Sequence, residues 1–122
     1  MTIQFWSRQG ELITETVEWA KLYEDVEQRC VAFDGTKEGE PSVSTIWMGM
    51  SADSWRVQDA PYNTFETAHL DGEGNIVDFT RSSSEAEALA VHEIMCQQVL
   101  GRPPRPEDGW REQIIERNKR RE

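Results

Sequence analysis

Four residues in the middle of this chain are of types that combine in acid–base and nucleophilic chemistry: His92, Glu66 and the hydroxyl-bearing Thr45 and Ser44. A histidine paired with a carboxylate beside a hydroxyl can supply a general base, the group that orients it, and a nucleophile. The same set, closed away from water, is a polar network that fixes how a helix registers on a sheet. Neither a Gly-x-Ser-x-Gly elbow nor a recognisable oxyanion loop accompanies them. The network reading therefore leads, and catalysis at His92, Glu66, Thr45 and Ser44 stands as the alternative.

The elements that must position these residues can be read from periodicity. Val43 to Met50 is the strongest strand pattern, with bulky apolar groups on both faces, as expected of a central strand. Gly49 within it marks a bulge or a close approach of another backbone. Tyr62 to Leu70 is a second strand, Asp71-Gly72-Glu73-Gly74-Asn75 a hairpin signal, and Ile76 to Thr80 the returning strand. Ser84-x-x-Glu87 opens a helix running to about Leu100, stopped by Gly101 and the prolines after it. On that helix Ala88, Leu89, His92, Met95, Cys96, Val99 and Leu100 share one side, so the imidazole is expected to face the sheet. Its ready partners are Glu66, Ser44, Thr45 and Thr67.

Upstream, Ile3 to Trp6 reads as a short strand and Gln28 to Asp34 as another. Residues 16–26 read as a helix with Trp19, Leu22, Tyr23 and Val26 on one stripe. The whole is an α+β fold: an antiparallel meander sheet of about four or five strands with helices packed on one face, plus a C-terminal helical tail. Residues 1–101 form the single α+β domain. Residues 102–122 form a proline-rich connector, Arg102-Pro103-Pro104-Arg105-Pro106, and a last helix carrying Trp110, Ile114 and Ile115. That helix either docks loosely, serves a partner, or joins two copies into a homodimer.

Composition narrows the function classes. With 122 residues, 37% hydrophobic and 30% charged, the chain has room for one core. The net charge is -10, and it is uneven: residues 1–101 hold 6 Lys+Arg against 18 Asp+Glu, and residues 102–122 hold 7 against 5. An acidic body repels phosphate, so direct nucleic-acid binding is not expected, nor is attachment to an anionic membrane. Apolar windows stay short of transmembrane length. Cys30 and Cys96 are far apart, which suits reduced thiols in the cytoplasm. The two His and two Cys show no metal-ligand spacing, and the glycines form no phosphate-binding motif, so neither metal nor cofactor is expected. His69, near a strand end, reads as a surface histidine.

Trp55, followed by Arg56, sits in a polar loop without apolar periodicity. It is either a partner-binding anchor or a lid over a sheet edge. Trp110 is a second candidate anchor for a partner.

Three short motifs in order, Val43-Ser44-Thr45-Ile46-Trp47-Met48-Gly49-Met50, Phe65-Glu66-Thr67 and Ala88-Leu89-x-x-His92, resemble a group of small proteins encoded by actinobacterial phages and prophages. That group shows V-S-T-V-W-L-G-L, F-E-T and an A-x-x-x-H helix at similar spacing, and Glu18-Trp19-Ala20 and Val31-Ala32 also fit it. The likeness covers residues 15–100. It implies a phage accessory protein and brings no reaction with it. This chain departs where the group often has Asp-His, here Ser51-Ala52, and where an apolar run follows F-E-T, here Ala68-His69-Leu70. The expected function is thus protein–protein binding, with inhibition of a host protein as one form of it. A small-molecule binder or minor hydrolase with a pocket at His92 and Glu66 is the alternative, and an assembly component a third.

Overall fold

The computed structural model describes residues 3–35, 39–52 and 63–120, and the side chains of all of these but 107–109 and 117–120. The elements run β1 (Ile3–Trp6), β2 (Leu12–Ile13), α1 (Thr16–Glu24), α2 (Val26–Arg29), β3 (Cys30–Asp34), β4 (Ser42–Trp47), β5 (Met50–Ala52), β6 (Phe65–Leu70), β7 (Ile76–Ser82), α3 (Glu85–Leu100) and α4 (Glu107–Arg120). The α+β class holds, with every strand pair antiparallel. The strands divide between a four-stranded sheet, β3-β4-β6-β7, and a smaller one, β2-β1-β5.

The division falls at Gly49. The strand expected from Val43 to Met50 ends at Trp47, and Met50–Ala52 leave to pair with β1. Gly49 adopts φ 71°, a left-handed conformation that favours glycine. A side chain there would also collide with the rings of Trp47 and Trp19. The close approach at this glycine is therefore made by two indole rings rather than by another backbone. Those rings join the layers: Trp19 Nε1 donates to the carbonyl of Met48 at 2.9 Å, and Trp47 Nε1 to that of Trp6 at 3.1 Å. Buried Trp and Tyr need such partners for their polar tips.

The helix expected over 16–26 is interrupted at Asp25, whose extended backbone ends α1 and whose side chain caps α2 by accepting from the N–H of Glu27 at 3.0 Å. Trp19, Leu22 and Tyr23 pack on a core of Val31, Trp47, Phe65 and Ala88. α3 lies across β4 and β6, adding Met95 and Cys96 against Val43. Its ends follow the sequence signals. The Ser84 hydroxyl accepts from the N–H of Glu87 at 3.1 Å, and Gly101 closes the helix at φ 69°. Leu89, expected on the inner side of α3, is exposed. The hairpin before β7 is held by Asp71, whose side chain accepts from the N–H groups of Glu73 and Asn75.

The C-terminal segment is part of this body. Trp110 is only 4% exposed and packs with Cys30, Ala32 and Phe33, with Ile114 beside them. α4 thereby covers the outer strand β3 of the larger sheet and also touches α2.

Candidate functional site

β4 alternates strictly: Val43, Thr45 and Trp47 are buried, and Ser44 and Ile46 are half-buried on the other face. The register pairs Thr45 with Thr67, so both hydroxyls stand on the face that α3 covers. His92 comes down onto them from the middle of α3. Its Nδ1 lies 2.7 Å from Thr45 Oγ1, which in turn lies 2.8 Å from Thr67 Oγ1. On its other side, Nε2 lies 2.8 Å from Oδ2 of Asp34, the last residue of β3. Oδ1 of Asp34 accepts from the backbone N–H of Arg105 at 2.8 Å and from Nη1 of Arg102 at 2.9 Å. Cys96, one turn after His92, faces the same carboxylate.

These bonds set the charges. Burial alone would raise the Asp34 carboxyl, but the bonds from His92, the Arg105 N–H and Arg102 outweigh it and hold it below the usual 3.8. Burial pushes His92 below the usual 6.5, against the upward pull of Asp34, so the imidazole is neutral at pH 7. With Asp34 ionised, Nε2 carries the proton and donates to it. Nδ1 then accepts from the Thr45 hydroxyl, and Thr45 accepts from Thr67. Asp34, His92, Thr45 and Thr67 are thus joined in one relay. The Cys96 thiol is pushed up to about 12, by burial first and then by the neighbouring Asp34 charge, so it is no thiolate.

A hydroxyl, an imidazole and a carboxylate in this order repeat the logic of a hydrolytic triad. Access is what differs. Asp34, Thr45, Thr67 and Cys96 are fully buried and His92 is 1% exposed. A nucleophilic Thr45 would need a carbonyl beside Oγ1, where Thr67 and His92 already sit. The arrangement holds α3, β3, β4, β6 and the 102–105 segment in one register.

Asp34, His92 and Cys96, whose sequence positions show no metal spacing, converge in the fold with ligand atoms within 4.8 Å of one another. They do not suit a cation. The carboxylate is already shared by Arg102, the Arg105 N–H and His92, and a metal would face the guanidinium beside it.

Of the residues singled out in the sequence, Thr45, Thr67 and His92 are brought together. Glu66 and Ser44 are not: both lie on the opposite face, where Glu66 stands 3.7 Å from Arg81 on β7. Trp110 is packed against β3 instead of offered to a partner. Trp55 and Arg56 lie outside the described residues. His69 is half-buried. Sequence reasoning missed Asp34, Arg102 and Arg105. The available signal was a lone acid ending the apolar run Cys30-Val31-Ala32-Phe33.

Among the described residues, no helix is long and apolar enough to cross a membrane. Comparison of the chain with protein-family models, with curated proteins and with solved structures finds no match in any of the three.

Proposed function

We propose that this chain acts by binding another protein rather than by catalysing a reaction, as an accessory protein of a phage cycle. The observation that carries the reading is a contrast between two places. The cluster with the right groups for chemistry is sealed, and both nitrogens of His92 are engaged inside the protein, leaving none for a substrate. The strand β7, in contrast, presents Ile76, Val77 and Phe79 to solvent. Apolar side chains gathered at one exposed edge are a common form of protein-binding surface.

The phage assignment rests on the resemblance carried by residues 43–50, 65–67 and 88–92. The free thiols of Cys30 and Cys96 suit a reducing host cytoplasm, where the partner would be met. A host protein inhibited by this contact is the form of action that fits a small acidic chain whose catalytic-type cluster, among the described residues, is sealed.

Native mass spectrometry of the full chain, purified gently from host lysate beside its Phe79→Asp variant, tests the reading. The expected result is a protein-sized added mass on the parent chain that the variant lacks. A small-molecule-sized excess kept by both, and lost in His92→Gln, would overturn it in favour of a ligand site at His92.

A further inference from the structure

The two outer strands of the larger sheet are treated differently. β3 is covered by α4 and α2, whereas β7 pairs with β6 on one side and, among the described residues, with no strand on the other. Residues 76–80 are all exposed, and Phe79 keeps 46% of its surface in water. A bare edge offers backbone N–H and C=O groups to any extended chain, and proteins ordinarily blunt it with lysine, proline or a covering element. β7 has neither lysine nor proline. Its charged residues are Asp78 and Arg81, and Arg81 faces Glu66 on β6.

Asp78 shows how the edge is occupied when no partner is present. Its Oδ1 accepts from the backbone N–H of Phe79 at 2.9 Å. A donor held by its neighbour's carboxylate is outside the ladder with β6, so it points off the sheet. An arriving strand would bring a carbonyl to that N–H and free the exposed Asp78 carboxylate, beside which a cation is favoured over an anion. The surroundings ask for the same sign, since residues 63–100 hold seven Asp+Glu against a single Lys+Arg. A second copy of this chain, with its own net charge of -10, would be repelled.

Resting on the protein-binding reading above, we propose that β7 accepts an extended segment of a basic partner protein by β-strand addition. In that segment apolar residues alternate with lysine or arginine. The alternation follows from the register with β6: Phe79 opposite Ala68 and Ile76 opposite Leu70 stand on one face across the irregularity at Val77, Asp78 opposite His69 stands on the other, and neighbouring strands set like positions on the same face. The partner's apolar side chains lie beside Ile76 and Phe79, and its cations beside Asp78.

The test uses the full chain labelled for NMR and a short end-capped peptide alternating lysine with valine. Two controls are the same peptide N-methylated along one backbone edge and a version with glutamate for lysine. The lysine peptide is expected to slow amide exchange at Phe79 by about tenfold or more. Neither control should do so, and Asp78→Lys should abolish the effect while leaving the urea midpoint unchanged. Equal protection by the N-methylated peptide, or protection on α3 instead of β7, would overturn strand addition in favour of general attraction to an acidic surface. Equal protection by the glutamate peptide would overturn the basic partner, and no protection by any peptide would overturn the proposal entire. A homodimer that Phe79→Asp dissolves would overturn it in favour of a second copy. These outcomes leave the broader protein-binding reading standing, because that reading falls on the lysate measurement.

Discussion

His92 and Asp34, 58 positions apart, meet at 2.8 Å with both side chains buried, and every other polar contact of the core cluster is arranged around that bond. His92 reaches the two threonines from it, and Asp34 reaches the 102–105 segment. Removing either group leaves its own partners unsatisfied: Thr45 and Asp34 for His92, and His92, Arg102 and the Arg105 N–H for Asp34. His92→Leu and Asp34→Asn are each expected to lower the unfolding free energy by about 2–4 kcal/mol, through a lost bond to a charged group and an unsatisfied remnant. The double variant should cost less than the sum of the two by about 1 kcal/mol or more. Urea unfolding of the three proteins measures this, and strict additivity would show that the two residues do not act as a unit.

Acid should weaken the fold in two stages. His92 titrates below 6.5 in the folded protein, so the unfolded chain takes up its proton first, and stability falls as pH drops below about 6.5. Asp34 titrates below 3.8 when folded, so a second loss begins as pH falls through about that value. Both terms act in the same direction, and stability should rise from acid towards neutral pH. Unfolding midpoints measured from pH 7 down to pH 5 should decline for the parent chain and flatten in His92→Gln. A parent chain whose stability stays level over that window would contradict a neutral, buried His92.

The C-terminal segment is expected to hold the body together. Arg102 and the Arg105 N–H satisfy Asp34, and Trp110 fills the space beside β3. Trp110→Ala should cost about 3 kcal/mol, as large buried aromatics do. Truncation after Gly101 should lower the thermal midpoint further, since it also leaves the Asp34 carboxylate short of two donors. Calorimetry decides, and a truncated chain as stable as the full one would show that residues 102–122 are a detachable tail.

The physical reasons why some of this was legible in the sequence, and some not, differ residue by residue. A period of 3.6 placed His92 with Ala88, Met95 and Cys96, and a period of two placed Thr45 with Val43 and Trp47; both patterns survive in the fold. The choice between Glu66 and Thr67 as partner depends on register. Thr45 opposite Thr67 sends Glu66 to the other face, and strand pairing is not written in either strand alone. Asp34 is hidden because a buried acid at a strand end looks like any turn residue until the 102–105 connector from the far end of the chain brings Arg102 and Arg105 to it. β2, only two residues long, and the departure of β5 at Gly49 depend on pairing with β1, a long-range contact with no local signature. Trp110 looked free because the apolar face of α4 is narrow. Its partner surface lies on β3, some eighty positions earlier in the chain.

On the function proposed above, this protein works through its β7 edge and not through His92. Photo-crosslinking in host cells checks this, with a photoreactive residue placed at Phe79 or, as a comparison at least as exposed, at Ile94 on α3. A discrete protein adduct is expected from position 79 and none from position 94. Adducts from position 94 alone, or from neither position in cells where the chain is active, would contradict it.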